Sequence, residues 1–173
     1  MYEHHVKYYE TDQMGIVHHS NFIRWMEEAR CDMLQKIDLG YGNIEKAGIL
    51  SPVLGVSCEY KRMVHFEDTV QMDVWLKEYG GVKFTVGYAM YIKGETAPCC
   101  TAESRHCFLT KEGRPASMKR VNPEWDEKLR GLIRGFRCGK WVLPSDSVGA
   151  EGHLTVPLLH HPSRGRWLGH CVV

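Results

Sequence analysis

No stretch of this chain approaches the roughly 18 consecutive apolar residues that span a bilayer. Its first residues, Met1-Tyr2-Glu3-His4-His5, do not open a basic-then-apolar leader. The seven cysteines are an odd number with no C-x-x-C pair, and only Cys99 and Cys100 are adjacent. A disulfide framework therefore has no basis, and the reading expects reduced thiols in the cytoplasm. The G-x-G-x-x-G, P-loop and G-x-S-x-G elements are also missing, so dinucleotide binding, phosphoryl transfer and serine hydrolase chemistry lose their usual support. Neither sign of charge dominates. Twenty-two basic against 21 acidic residues leave a formal net charge of +1, which predicts neither a nucleic-acid nor a membrane partner. There are no internal repeats.

What is present is enough for one domain: 173 residues, of which 43% are hydrophobic, can bury a core without staples. Phe22, Met26, Ala29, Met33 and Ile37 recur at three- and four-residue steps, and Ile23, Trp25 and Leu34 widen the stripe. Arg24, Glu27, Glu28, Arg30, Asp32 and Gln35 fill the other side, so the spacing predicts an amphipathic helix over Phe22 to Ile37. Ser20 or Asn21 is its expected cap, and Gly40 lies just past its end.

After Pro52 the period changes to two. Alternating runs cover Leu54 to Lys61, Val70 to Lys77, Phe84 to Ile92 and Cys100 to Thr110, and Cys58 and Cys107 act there as small hydrophobes. The short breaks at Gly80-Gly81 and Gly94 to Pro98 predict antiparallel neighbours. With an edge strand at His4 to Tyr9, the pattern predicts an α+β fold in which one curved antiparallel sheet wraps the helix. Asn122-Pro123 starts a short polar helix ending near Gly131 or Gly135. Residues 1–140 form the expected domain. Residues 141–173, rich in Gly, Pro, Ser and His, read as an irregular, poorly ordered tail.

The chemistry concentrates between Tyr8 and Phe22. Thr11-Asp12 before Gly15 is compatible with plain turn formation, the carboxylate accepting local N–H groups. It is equally compatible with catalysis, because His18, His19 and Ser20 lead into the first turn of the helix, where unpaired N–H groups favour an anion. His18-His19, His4-His5 and His160-His161 have no partners at metal-ligand spacing, so no metal site is expected. Cys31 lacks an activating base and reads as a packed thiol. Trp25 and Met26 read as core. Glu27 reads as a solvated face that is also a candidate for reaching a neighbouring cavity. Lys61, Arg62, Lys83 and Arg105 are scattered cations that could meet phosphates.

Taken together, Tyr8-x-x-Thr11-Asp12-x-x-Gly15-x-Val17-x-His19-x-Asn21-Phe22 followed by Trp25-Met26-Glu27-Glu28-Ala29-Arg30 resembles the 4-hydroxybenzoyl-CoA thioesterase and YbgC-like acyl-CoA thioesterase family, over residues 4–135. The resemblance implies a hot dog fold and a homodimer or homotetramer with active sites at the subunit interface. It implies an acyl-CoA substrate with CoA as its own thiol carrier and no separate cofactor. It also implies that Asp12 is the catalytic nucleophile or general base and that His19 polarises the thioester carbonyl through its backbone N–H. Tyr8 matches a tyrosine implicated in the YbgC-like branch, and Asn21 orients the helix start.

Some aromatic-CoA members carry a basic run in the hairpin where this chain has Gly80-Gly81-Val82-Lys83. CoA phosphates are therefore expected to meet Lys83, Lys61, Arg62, Arg105 or a partner subunit. A non-catalytic acyl-CoA-binding module and a hydroxyacyl-thioester dehydratase on the same fold stand as alternatives.

Overall fold

The amphipathic stripe does become a helix with a sheet beneath it. The computed structural model describes residues 1–135, so the expected tail over 141–173 lies outside the described residues. In chain order, β1 (Tyr2–His5) leads through a 3-10 turn (Tyr8–Glu10) to α1 (His19–Lys36), α2 (Tyr41–Lys46) and β2 (Ile49–Leu50). Then come β3 (Val53–Tyr60), β4 (Thr69–Tyr79), β5 (Lys83–Ile92), β6 (Cys100–Cys107), β7 (Leu109–Thr110), α3 (Met118–Val121) and α4 (Pro123–Gly135). Five strands make one antiparallel sheet in the order β1-β4-β5-β6-β3, while β2 and β7 pair separately. This is the α+β hot dog arrangement expected from the sequence.

Register explains why one face of the sheet is apolar. Val74 lies opposite Tyr88 and Met72 opposite Met90; Tyr88 and Met90 in turn lie opposite Ala102 and Cys100. All of these are buried, together with Phe22, Trp25, Met26, Ala29, Met33 and Leu34 of α1. Side chains alternate across a strand, so a single period-two pattern supplies the whole inner face. On the outer face Gly87 leaves room for the Trp75 ring, which a Cβ there would strike.

Several expectations need correction. The expected edge strand over His4 to Tyr9 stops at His5, because the Glu10 carboxylate accepts from the Lys7 N–H at 2.7 Å and curls residues 8–10 into a turn. The cap of α1 is His18 rather than Ser20 or Asn21. Its side chain accepts from the Ser20 N–H, while Asn21 is inside the first turn and buried. Ile23 is 42% exposed, whereas Arg30, assigned to the polar face, is only 5% exposed. The run from Cys100 to Thr110 is two strands, since Phe108 donates to the Val82 carbonyl and Leu109–Thr110 turns away to pair with β2. The helix at Pro123 is polar on one side only; Leu129 is in the core and Trp125, Leu132 and Ile133 pack on it.

Candidate active site

Residues 10–18 form a hairpin whose returning arm becomes α1. Thr11 bridges to Val17, the Asp12 N–H donates to the Ile16 carbonyl at 2.9 Å, and the His18 N–H donates to the Glu10 carbonyl at 2.8 Å. Gly15 turns the tip with φ +74°, a left-handed conformation that a side chain resists. Asp12 is half-buried at this tip. Its Oδ1 accepts from the Met14 N–H at 2.8 Å, which is the turn chemistry anticipated for it. Its Oδ2 makes no hydrogen bond among the described residues. One carboxylate oxygen thus fixes the loop and the other is open.

Glu10 anchors this hairpin, and the sequence reading did not single it out. It is buried, with Oε1 accepting from the Trp25 indole at 2.8 Å and Oε2 meeting the Lys7 N–H at 2.7 Å and His4 Nε2 at 2.9 Å. Burial pushes its carboxyl up, but the hydrogen bonds from Lys7, His4 and Trp25 outweigh that and hold it below the ordinary glutamate range. The available clue was Trp25, a core indole whose N–H requires a buried acceptor. The Glu10 carbonyl also accepts from the Asn21 amide at 2.7 Å. Asn21 is therefore not the expected cap; its amide ties the first turn of the helix to the hairpin.

At the helix start the Ser20 N–H faces His18 Nδ1 and the Asn21 N–H donates to the His18 carbonyl. The His19 N–H, first in the helix, has no backbone acceptor among the described residues. The His19 imidazole is exposed and its ring lies 4.1 Å from that of His18. Tyr60, at the end of β3, donates to the His19 carbonyl at 3.2 Å and packs edge-on to Phe22. Burial, and then Cys58 beside it, pushes the Tyr60 hydroxyl well above the ordinary phenol range, so it remains a protonated donor. A carbonyl oxygen seated on the His19 N–H would be polarised, and an open carboxylate on the same hairpin can attack that carbonyl or deprotonate water.

The remaining candidates divide by position. Tyr8 is 77% exposed and meets Phe66 edge-on at 5.5 Å, and the Ile16–His65 bridge holds the Phe66 loop against the hairpin. Tyr8 and Phe66 thus form an exposed apolar pair beside the hairpin, and Tyr9, Met14 and Met63 are exposed as well. Lys61 and Arg62 follow Tyr60 directly and are exposed, ion-paired to Glu59 and Glu95. Glu27 is exposed on α1.

Lys83 is not brought to the site within the chain. It pairs with Cys107, whereas Tyr60 and Met90 both lie opposite Cys100, about 24 Å along the strand. Arg105 lies over Gly55 on the outer face. Cys31 behaves as packed, since burial raises its thiol.

YneP of Bacillus subtilis (strain 168), whose name places it among acyl-CoA thioesterases, is 37% identical over 122 residues, covering 69% of this chain and 87% of its own. A protein of Aquifex aeolicus (strain VF5) named as an esterase is 33% identical over 118 residues, covering 68% and 90%. The crystal structure of a DHNA-CoA thioesterase from Staphylococcus aureus superposes with a TM-score of 0.72 at 28% identity, covering 77% of this chain and 89% of that one. Residues 6–131, which hold the hairpin, α1 and the whole sheet from β3 onward, match the family described as the thioesterase-like superfamily, and the chain belongs to it.

Proposed function

We propose that the protein hydrolyses an acyl-CoA thioester to a carboxylic acid and free CoA. Asp12 acts as nucleophile or general base, and the His19 N–H at the start of α1 polarises the carbonyl. The observation that carries this reading is the hairpin that joins them. It offers an open Asp12 oxygen on one arm and an unpaired helix N–H at the end of the other. As a nucleophile, the carboxylate adds to the thioester carbon, the C–S bond breaks, the CoA thiolate leaves, and water then cleaves the acyl–aspartyl anhydride. As a base, it takes a proton from the water that attacks the same carbon. Either path builds negative charge on an oxygen that the helix N-terminus stabilises.

The proposal places a second subunit against the site. Strand β3 is at a sheet edge, and Val53, Leu54, Val56 and Tyr60 on it are exposed, an edge that invites pairing with another copy. The apolar pair of Tyr8 and Phe66 lies beside the Asp12 hairpin and suits the same role, as an interface or an acyl contact. Lys61 and Arg62 directly follow Tyr60, which touches the helix start, and are the cations offered to CoA phosphates. Glu27 and Lys83 reach substrate only as residues facing a neighbouring subunit's site. The thiols Cys31, Cys58, Cys99, Cys100 and Cys107 are free, which fits a reducing cytoplasmic setting.

The test is thiol release by the purified full chain over a panel of aliphatic and aromatic acyl-CoAs. The aromatic members are included because the Staphylococcus aureus neighbour is named for one. Turnover of at least one member is expected. Binding across the panel with no thiol released, or hydration of an enoyl thioester in its place, would overturn the reading.

A further inference from the structure

Beneath the C-terminal half of α1 lies a polar cluster that the proposed chemistry does not use. Arg30 is 5% exposed and His106 is fully buried. Arg30 Nη1 lies 3.0 Å from His106 Nε2, and Ser104 Oγ lies 2.7 Å from the same nitrogen. The Tyr88 hydroxyl meets Ser104 Oγ at 2.8 Å, and the Arg30 guanidinium sits 5.7 Å from the Tyr41 ring centre.

A guanidinium can only donate, so His106 Nε2 must be the acceptor and its proton resides on Nδ1. The single lone pair of Nε2 is then shared with Arg30, and Ser104 Oγ lies within hydrogen-bond distance of both Nε2 and the Tyr88 hydroxyl. Burial, followed by the charge of Arg30, lowers the imidazole to about 4 and keeps it neutral. The cluster is therefore rich in donors and short of acceptors. Arg30 Nε, the Tyr41 hydroxyl and His106 Nδ1 are all buried without a hydrogen-bond partner.

The charge is equally unbalanced. Among the described residues no carboxylate lies within ion-pair distance of Arg30. A buried cation held only by one neutral imidazole acceptor and an aromatic ring is not compensated, because such contacts recover a small part of the desolvation cost. We propose that the Arg30 guanidinium and the Tyr41 hydroxyl form a buried binding site for a small monovalent anion, of halide or carboxylate type. Such an ion supplies the missing acceptor for both groups and the missing negative charge in one step.

The test compares melting temperature of the full chain in sodium gluconate, whose anion is too bulky for the site, with sodium bromide and sodium acetate at equal ionic strength. A saturable rise with bromide or acetate is expected, and whichever acts at lower concentration identifies the preferred class. Crystals grown in bromide should show an anomalous peak within hydrogen-bond distance of the Arg30 guanidinium.

Arg30→Met should abolish the response. Should that variant fail to fold, Tyr41→Phe serves instead, with the half-saturating concentration raised roughly three- to tenfold for the loss of one hydrogen bond to an anion. The proposal is overturned by equal melting temperatures in all three salts. It is also overturned by a bromide map with no peak at Arg30 where bromide raises the melting temperature, or by an unchanged half-saturation in Tyr41→Phe.

Discussion

Glu10 fixes the hairpin with its side chain and the helix start with its carbonyl, so it governs where Asp12 sits without touching the reacting atoms. Glu10→Gln places an amide N–H against the Lys7 N–H and should cost about 1–3 kcal/mol at neutral pH, read by urea unfolding. The native carboxyl is held below its unfolded value. Its contribution is therefore complete above the unfolded glutamate range and is lost as pH falls through the folded one. The gap between the two proteins should accordingly narrow on acidification; a constant gap from neutral to strongly acidic pH would contradict this. At this scale the sequence was uneven. The approach of Asp12 to a helix start at His19 was legible because the apolar stripe of α1 begins just after it. Glu10 and Arg30 were not, because a charged side chain is buried only when distant groups satisfy it, here Trp25 and His4 for one and His106 for the other.

Helix α1 and the inner face of the sheet were legible almost throughout, since three- to four-residue and two-residue periods report burial directly. What periodicity could not report was where a strand ends for tertiary reasons. The separation of β7 from β6 depends on Val82 capturing the Phe108 N–H. The halt of β1 at His5 depends on Glu10. The hairpin tip is the most exacting local element. Gly15 holds φ +74°, and a Cβ there would meet nothing within 4 Å, so Gly15→Ala is penalised by backbone conformation and not by a clash. A destabilisation of about 1 kcal/mol is expected, with a larger proportional loss of kcat than of substrate affinity as the Asp12 loop shifts. Unchanged stability and unchanged kcat would show that the tip does not need this conformation.

At the scale of the whole molecule, the exposed apolar edge of β3 and the exposed pair of Tyr8 and Phe66 make the single chain an incomplete unit in this account. Leu54 is 49% exposed, so Leu54→Lys should leave the fold intact by circular dichroism while burying a charge in any β3–β3 contact. Sedimentation at micromolar concentration should show a smaller assembly than wild type, and thiol release should fall with it. An unchanged assembly would put the interface elsewhere. Nothing in the one-dimensional pattern revealed this edge, because β3 alternates as regularly as the strands that are covered. The most direct measurement is kcat/KM for thiol release by Asp12→Asn on the best acyl-CoA of the panel, with unfolding midpoints matched to wild type. The account predicts a loss of about 10²–10⁴-fold in a folded protein, and a folded Asp12→Asn with wild-type turnover would contradict it.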